Sequence, residues 1–254
     1  MIKKISLAIL GGLIIIACET DLEIQKTNRK DIAADFRLLE VQDDQENVIE
    51  SYVYGNKQEL TKVRLRGSDL FNLRYQEGKI NTINKRTVHI TDDGYIVVWD
   101  DDTEVQLEKK ATSWRINYLQ KNEEGVMVIS DYLDLFFDDN TNIVRSYLHS
   151  HNRNVFYFYD SMLTPYHAIQ EEVLICLLNY PLPRMEENIT RIISNNNVVR
   201  ISKLPKSEDI PTTIEYNGEI QELTYRYIHP LYDVPVKKNI FPGKKQSFTY
   251  KYNQ

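Results

Sequence analysis

Alternation of apolar and polar residues is the feature that most limits how this chain can fold. The stretch 103–108 (TEVQLE) places Val105 and Leu107 on one face and polar side chains on the other. A period of two is typical of a β-strand with one buried face. Similar runs recur along the chain, at 60–65, 70–75, 87–90, 95–99, 113–118, 132–137, 143–148, 154–159, 198–202, 219–228 and 247–252. The sequence therefore predicts a mainly β protein.

Short turn sequences separate these runs. Those at 76–78 and 92–94 end in glycine, and those at 122–125, 138–142 and 217–218 contain asparagine, residues that accept the positive φ angles of tight turns. Short turns join neighbouring strands antiparallel. A sheet of ten or more twisted strands curls, splits or closes, and closure removes its exposed edges. We expect a long antiparallel meander curled into a barrel-like or rolled sheet, with a two-sheet β-sandwich as the alternative.

One segment, at about 165–180, breaks the alternation. Its apolar residues follow helical spacing, at Tyr166, Ile169, Val173 and Leu177. Pro165 suits the first turn of a helix, and Pro181 ends the pattern. We expect one short helical insertion that covers an opening of the sheet. A buried strand is the alternative, because a short apolar run does not distinguish the two.

The N-terminus combines a positive start, an apolar run and a cysteine. Lys3 and Lys4 precede an uncharged run at 5–17, which is shorter than the roughly 20 residues of a membrane-spanning helix and is typical of a secretory signal peptide. The run ends in Ile-Ile-Ala before Cys18, which resembles the lipobox of bacterial lipoproteins. The resemblance implies a signal peptide at 1–17 and a lipidated Cys18 that holds the protein to a membrane. An ordinary signal peptide with a chance cysteine is the alternative.

A polar, aperiodic segment at 18–30 is interpreted as a lipidated tether to a single β-rich domain at 31–254. Its early acids Glu19, Asp21 and Glu23 resemble the acidic export signals of surface lipoproteins in Bacteroidota. That resemblance implies display on the cell surface from the outer membrane, with the periplasmic face as the alternative. The acids also suit a simple solvated leash, whose charges keep it unfolded.

The aromatic strands and their turns carry a wider resemblance. The stretches 73–80 (LRYQEGKI) and 156–160 (FYFYD) each contain a strand run that ends in a tyrosine followed by turn residues, and 195–199 (NNNVV), 225–227 (YRY) and 248–252 (FTYKY) extend the layout. This layout resembles an uncharacterised Bacteroidota surface lipoprotein family with YD-like strand–turn repeats. The resemblance implies a porin-like rolled β-sheet over about residues 60–252 and an envelope location, with no established activity.

Charge and motifs exclude several functional classes. The chain has 31 basic and 37 acidic residues, and loss of Lys3 and Lys4 with the signal peptide brings the net charge to −8. Nucleic-acid backbones require clusters of Lys and Arg, so we expect no nucleic-acid partner. No hydrolase, zinc-protease or nucleotide-binding motif occurs. We therefore predict no catalytic residue, and an enzymatic role is the third functional hypothesis.

Three other groups of residues are candidates for chemistry. Cys176 lies in an apolar run, where a free thiol packs as a small hydrophobe. His149 and His151 have a spacing that zinc ligands use, and the runs 100–102 and 138–142 carry oxygens that calcium prefers. Both are interpreted as solvated turns, so we expect no metal and no cofactor.

The aromatic residues give the most specific functional hypothesis. Tyr95 and Trp99 share one strand face, and Trp114 and Tyr118 share another. An exposed set would stack against sugar rings, whereas the valine and isoleucine between them suit a core. Two hypotheses follow: a lipid-anchored, surface-exposed envelope protein that binds a glycan or another macromolecule, or a structural partner of an outer-membrane protein complex.

Overall fold

A computed structural model describes residues 37–202, 220–229, 232–241 and 246–252. The signal peptide, Cys18 and the tether lie outside these residues. The described strands are β1 (Leu38–Gln42), β2 (Val48–Tyr54), β3 (Leu60–Leu65), β4 (Ser68–Gln76), β5 (Lys79–Ile83), β6 (Arg86–Thr91), β7 (Gly94–Asp100), β8 (Thr103–Lys109), β9 (Ser113–Lys121), β10 (Met127–Phe137), β11 (Ile143–Leu148), β12 (Arg153–Leu163), β13 (Asn196–Ser202), β14 (Ile220–His229), β15 (Tyr232–Phe241) and β16 (Gln246–Tyr252).

Each strand pairs antiparallel with the next one along the chain, and the sheet closes into a barrel. The closing pair is β1 with β16, in which Leu38 lies opposite Tyr252 and Val41 opposite Tyr250. The predicted mainly β meander with a curled sheet is confirmed. Closure into a barrel replaces the sandwich alternative.

Two glycines illustrate how local sequence fixes the strands. Glu77 and Gly78 both have positive φ angles, 52° and 79°, which builds the tight turn between β4 and β5. Gly94 has a different role, because a Cβ there would lie 1.9 Å from the main-chain oxygen of Leu107 in the neighbouring strand. A side chain at position 94 would force β7 and β8 apart.

Strands β1, β2, β5 and β15 were not predicted from the alternation. In β5, Ile80 and Ile83 are both buried although they are three residues apart, so this strand shows no period of two. Strand β15 contains Pro235, and proline within a run argues against a strand interior. Irregular pairing therefore removes the alternation from which these strands could have been predicted. Bulges interrupt the register in many of the strand pairs.

Two helices lie between β12 and β13. A short 3₁₀ turn (His167–Ile169) leads into α1 (Gln170–Leu177), which confirms the helical insertion predicted at about 165–180. The second helix, α2 (Leu182–Ile193), was not predicted, because Pro181 suggested that the helical pattern ends. Pro181 is instead the residue before α2, and Pro183 lies in the first turn of α2. The N–H groups of a first turn make no hydrogen bond within the helix, so a proline there costs none.

The two helices form an antiparallel hairpin that threads the barrel, called the helical hairpin below (170–193). Both of its ends lie at the barrel end where β12 stops and β13 begins, since Gln170 Nε2 donates to the Ser194 carbonyl at 3.0 Å. Its turn reaches the opposite end, where Trp99 Nε1 donates to the Leu178 carbonyl at 3.0 Å. The helical hairpin therefore spans the length of the barrel interior, whereas the sequence suggested a helix that covers one opening of the sheet.

The core lies between this helical hairpin and the inner face of the barrel. Val105 and Leu107 point inward and are buried, whereas Glu104 and Gln106 on the same strand are half-buried on the outer face. Leu174 of α1 and Ile189 of α2 are buried against this inner face. Each such side chain contributes about 1.5–3 kcal/mol by burial. None of the helices in the described part of the chain has the length and apolar character that crossing a membrane requires.

Candidate binding cavity

A cavity of about 230 Å³ separates the helical hairpin from one wall of the barrel. The wall is formed by β16 and β1 to β4, and the other side by α1 and α2. Apolar side chains supply much of its lining, including Val41, Val63, Phe71, Val173, Leu177 and Ile192. The barrel is therefore packed tightly on one side of the helices and open on the other.

One face of α2 gives this cavity its polar side. Arg184, Asn188 and Arg191 lie at i, i+4 and i+7, the spacing of a single helix face, and all three line the cavity. They span about 10 Å along the helix axis. Arg184 is exposed and packs over the ring of Tyr180 at 4.4 Å, whereas Arg191 is half-buried further along. The cavity thus reaches solvent beside Arg184.

Two tyrosines and a glutamate line the opposite side. The Tyr52 hydroxyl donates to the Glu50 carboxylate at 2.6 Å, and the Tyr166 hydroxyl donates to the same oxygen at 3.5 Å. Burial, and then the charge of Glu50, raise the pKa of Tyr52 well above its ordinary value. Tyr52 therefore stays protonated at neutral pH, and one oxygen of Glu50 is already occupied by hydroxyl donors.

The charges around the cavity favour an anion. Arg184 and Arg191 of α2 and Arg64 of β3 line it, against the one carboxylate of Glu50. Arg64 is already paired with Asp69 at 2.8 Å, which leaves the two arginines of α2 as the candidates for binding. Guanidinium is charged at all physiological pH values and binds carboxylates through two parallel hydrogen bonds. With apolar side chains on the remaining walls, the arrangement suits an acid whose body is apolar.

Cys176 also lines the cavity but is not a nucleophile in this setting. It is a free cysteine with 1% of its surface exposed, which confirms the buried, hydrophobe-like position expected from the sequence. Burial raises the pKa of its thiol above the ordinary value. The reactive thiolate is therefore disfavoured at neutral pH.

A buried polar network holds α2 in its orientation from the other side. Glu186 accepts hydrogen bonds from Arg153 and, at 2.7 Å, from the Ser146 hydroxyl, which also bonds the Tyr157 hydroxyl at 2.9 Å. Glu186 is 2% exposed. These contacts tie α2 to β11 and β12, so the arginine face of the helix points toward the cavity.

The four aromatic residues proposed from the sequence lie elsewhere in the barrel. Tyr95 is buried in the core cluster, and Trp99, Trp114 and Tyr118 pack against that cluster. Trp99 and Tyr118 meet edge to face, with ring centroids 5.3 Å apart, near the turn of the helical hairpin. Tyr95 and Trp114 lie toward the opposite barrel end. The four residues do not line the cavity, and glycan binding by them stays a prediction.

Cationic side chains from the chain itself already cover several of these rings. Lys109 Nζ lies 4.8 Å from the ring centroid of Tyr95 and 4.9 Å from that of Trp114. The guanidinium of Arg86 lies 4.3 Å from the ring of Trp99. Burial lowers the pKa of Lys109, so this ammonium is partly withdrawn from water. A sugar ring stacking here would have to displace these cation–π contacts.

The histidine pair and the acidic runs form turns and strand ends. The His149 ring stacks on Tyr132 at 4.6 Å between centroids. Asp100 and Asp138 accept main-chain N–H groups of Asp102 and Asn140, at 3.0 and 2.9 Å, as turn-forming aspartates do. Within the described ranges, no group of three or more His, Cys, Asp or Glu residues is arranged to hold a metal ion.

The arginine face was missed at the sequence level because α2 itself was missed. Once a helix is assigned to 182–193, the spacing of Arg184, Asn188 and Arg191 becomes an available signal. Nothing in the sequence, however, shows that this polar face turns into the barrel. That orientation depends on Glu186 and its distant partners.

Comparison with known proteins finds little. No protein-family model matches the chain, and no curated protein matches it significantly. Among solved structures, the chain is similar to a porin-like protein from Bacteroides uniformis, with a TM-score of 0.37 and 11% identity, over 86% of this chain and 98% of that one.

Proposed function

We propose that this protein binds a small acid with an apolar body inside its barrel. The observation that carries the proposal is the orientation of α2. An amphipathic helix ordinarily turns its whole polar face to solvent, but here Arg184, Asn188 and Arg191 line a cavity inside the barrel that opens to solvent beside Arg184. The two guanidinium groups of α2 provide a region that binds a carboxylate, and the apolar walls opposite them provide a region that contacts a hydrocarbon body.

The size of the cavity limits the ligand. At about 230 Å³ it is smaller than the roughly 300–1,000 Å³ of pockets that hold drug-sized ligands. A molecule of about ten non-hydrogen atoms suits this volume, and a polysaccharide does not. Octanoate, with a carboxylate and a seven-carbon tail, is a suitable probe.

Calorimetry with octanoate tests the proposal. We expect Arg184→Gln and Arg191→Gln each to weaken octanoate binding about tenfold or more, since a hydrogen bond to a charged group contributes about 1.5–3 kcal/mol. Arg145→Gln is the matched control, because this arginine lies on the outer face over the Phe136 ring. The control is expected to bind octanoate as the unchanged protein does.

Two results would count against the proposal. Octanol binding as tightly as octanoate would show that the arginines do not recognise the acid. Loss of binding in all three arginine variants would show that the effect reflects overall charge and not the cavity.

We also propose that the protein works at the cell envelope, held by lipid at Cys18. The support is the lipobox-like sequence at 15–18 and the acidic tether that follows it. Mass spectrometry of protein purified from membranes should show an N-terminal peptide that begins with an acylated Cys18. Cys18→Ser should move the protein from the membrane fraction to the soluble fraction. An unmodified N-terminus that retains Met1 would refute this placement.

A further inference from the structure

The hairpin formed by β9 and β10 extends further along the barrel wall than β11, the strand that pairs with the other edge of β10. Strand β10 pairs with β9 from Met127 onward, but it pairs with β11 only from Leu133 to Phe137. On the β11 side, His149 N donates to the Tyr132 carbonyl at 3.1 Å, where that pairing ends. Residues 127–130 therefore have a strand partner on one side only among the described strands.

The main-chain direction along this edge follows from the hairpin turn. Asn122 N donates to the Val126 carbonyl at 2.9 Å. Because opposite pairs alternate along an antiparallel ladder, the N–H and C=O of Val128 point toward β9. Those of Met127 and Ile129 point away from it. The edge thus presents two residues whose main-chain groups are directed outward.

Apolar side chains accompany this edge. Val126, Val128 and Ile129 are 55%, 40% and 54% exposed, and they lie within four residues of one another. Isolated exposed apolar residues need no explanation, but an exposed strand edge that also carries apolar side chains is a template for another strand.

The charge around the edge indicates the kind of partner. Glu123 and Glu124 lie in the hairpin turn next to the edge. Asp131 follows the edge, but its carboxylate already accepts the Ser150 N–H at 3.0 Å and lies 3.6 Å from His149 Nδ1, so the two glutamates supply the acidic character. Lys121 is engaged by Asp102 of the neighbouring turn at 3.2 Å. Juxtaposed acidic rims disfavour a second copy of this chain, and they favour a basic partner.

We propose that the β10 edge at residues 127–130 docks an extended segment of a partner protein as an added strand. The segment has apolar side chains at alternate positions and basic residues at its ends. Main-chain hydrogen bonds to Met127 and Ile129 supply affinity, and Val128 and Ile129 supply apolar contact. This surface is independent of the cavity, and it gives the structural-partner hypothesis a specific site.

A defined peptide tests this proposal on the full chain. The probe is a fluorescent ten-residue peptide with alternating valine and threonine and two lysines at each end, and the measurement is fluorescence anisotropy. Ile129→Pro should weaken binding at least tenfold, because it removes an outward N–H while the bonds to β9 remain. Ile129→Ala should weaken it about threefold through lost apolar area. Ile90→Ala, at an equally apolar residue that is 43% exposed, is the control and should bind unchanged.

Several outcomes would overturn the proposal. Absence of peptide binding would do so directly, and so would equal binding of a peptide in which glutamates replace the lysines. Self-association that Ile129→Pro abolishes would assign the edge to a second copy. Binding to phosphatidylglycerol vesicles that Ile129→Pro abolishes, without peptide binding, would assign it to a membrane. Circular dichroism of each variant shows that the fold is retained.

Discussion

The two sides of α2 lie in contrasting surroundings. On one side, Met185, Glu186 and Ile189 are buried against the barrel wall around β10, β11 and β13. On the other, Arg184 and Asn188 face the cavity and the strands β1 to β4. One amphipathic helix therefore completes the core and lines the candidate site, and the packing of its apolar face determines where its polar face points.

Two glutamates of the helical hairpin show the same contrast. Glu186, on the packed side, is 2% exposed and is held by Arg153 and Ser146. Glu172, on α1 near the barrel end, is half-buried, and burial raises the pKa of its carboxyl. On the packed side, Arg153 and Ser146 compensate for the burial of the Glu186 carboxylate. At the barrel end, burial disfavours the charged form of Glu172.

The largest expected effect is at Glu186. Glu186→Ala should lower the free energy of unfolding by about 3 kcal/mol, because it leaves Arg153 without its buried carboxylate partner. Asn188→Ala, two residues further along α2 and on the cavity side, should change the free energy of unfolding by less than about 0.5 kcal/mol. Urea denaturation measures both. Equal losses would show that the two sides of α2 contribute alike to stability.

Adding one methylene on each side of the barrel gives a smaller contrast. Val97→Leu should cost about 2 kcal/mol, because Val97 is fully buried in a filled core. Val63→Leu should cost less than about 1 kcal/mol, since Val63 borders the cavity and a larger side chain has space to enter. Thermal denaturation of the two variants compares these costs. Equal costs would mean that the cavity does not relieve overpacking.

The smallest effect is the pH dependence at Glu172. The pKa of Glu172 is raised in the folded protein. Its contribution to the free energy of unfolding is therefore fully present below the ordinary carboxyl pKa of 4.5, and it is lost as the pH rises through the folded pKa. Glu172→Gln does not titrate, so it should be more stable than the unchanged protein at about pH 7.5 and similar to it at about pH 4. Urea midpoints at the two pH values measure this. A constant difference would indicate a cause other than ionisation.

Much of the architecture could be predicted from the sequence because alternation and turn residues act locally. The run 60–65 and the turn at Gly78 were identified in this way, and both are present in the structure. Strand β5 could not be identified, since its buried Ile80 and Ile83 depend on irregular pairing with neighbours. Closure could be expected from strand number alone, but the pairing of β1 with β16 is a long-range contact.

The cavity was harder to predict for a physical reason. Arg184 and Arg191 belong to a helix that begins directly after Pro181, and this proline suggested the end of a helix instead of a start. Their inward direction depends on Ser146, Arg153 and Tyr157, which come from strands far away in sequence. Trp99 and Trp114 were visible as a shared pattern, but pattern alone does not separate a core from a binding surface.

The pairing of β1 with β16 has a consequence for how the chain is made. Leu38 lies opposite Tyr252, so the contact that closes the wall forms only after β16 has left the ribosome. Contacts this distant along the chain form slowly. The helical hairpin must already lie inside the barrel when β1 pairs with β16. A chain cut before β16 would keep β1 and β15 as open margins, and we expect it to aggregate instead of forming a narrower cylinder.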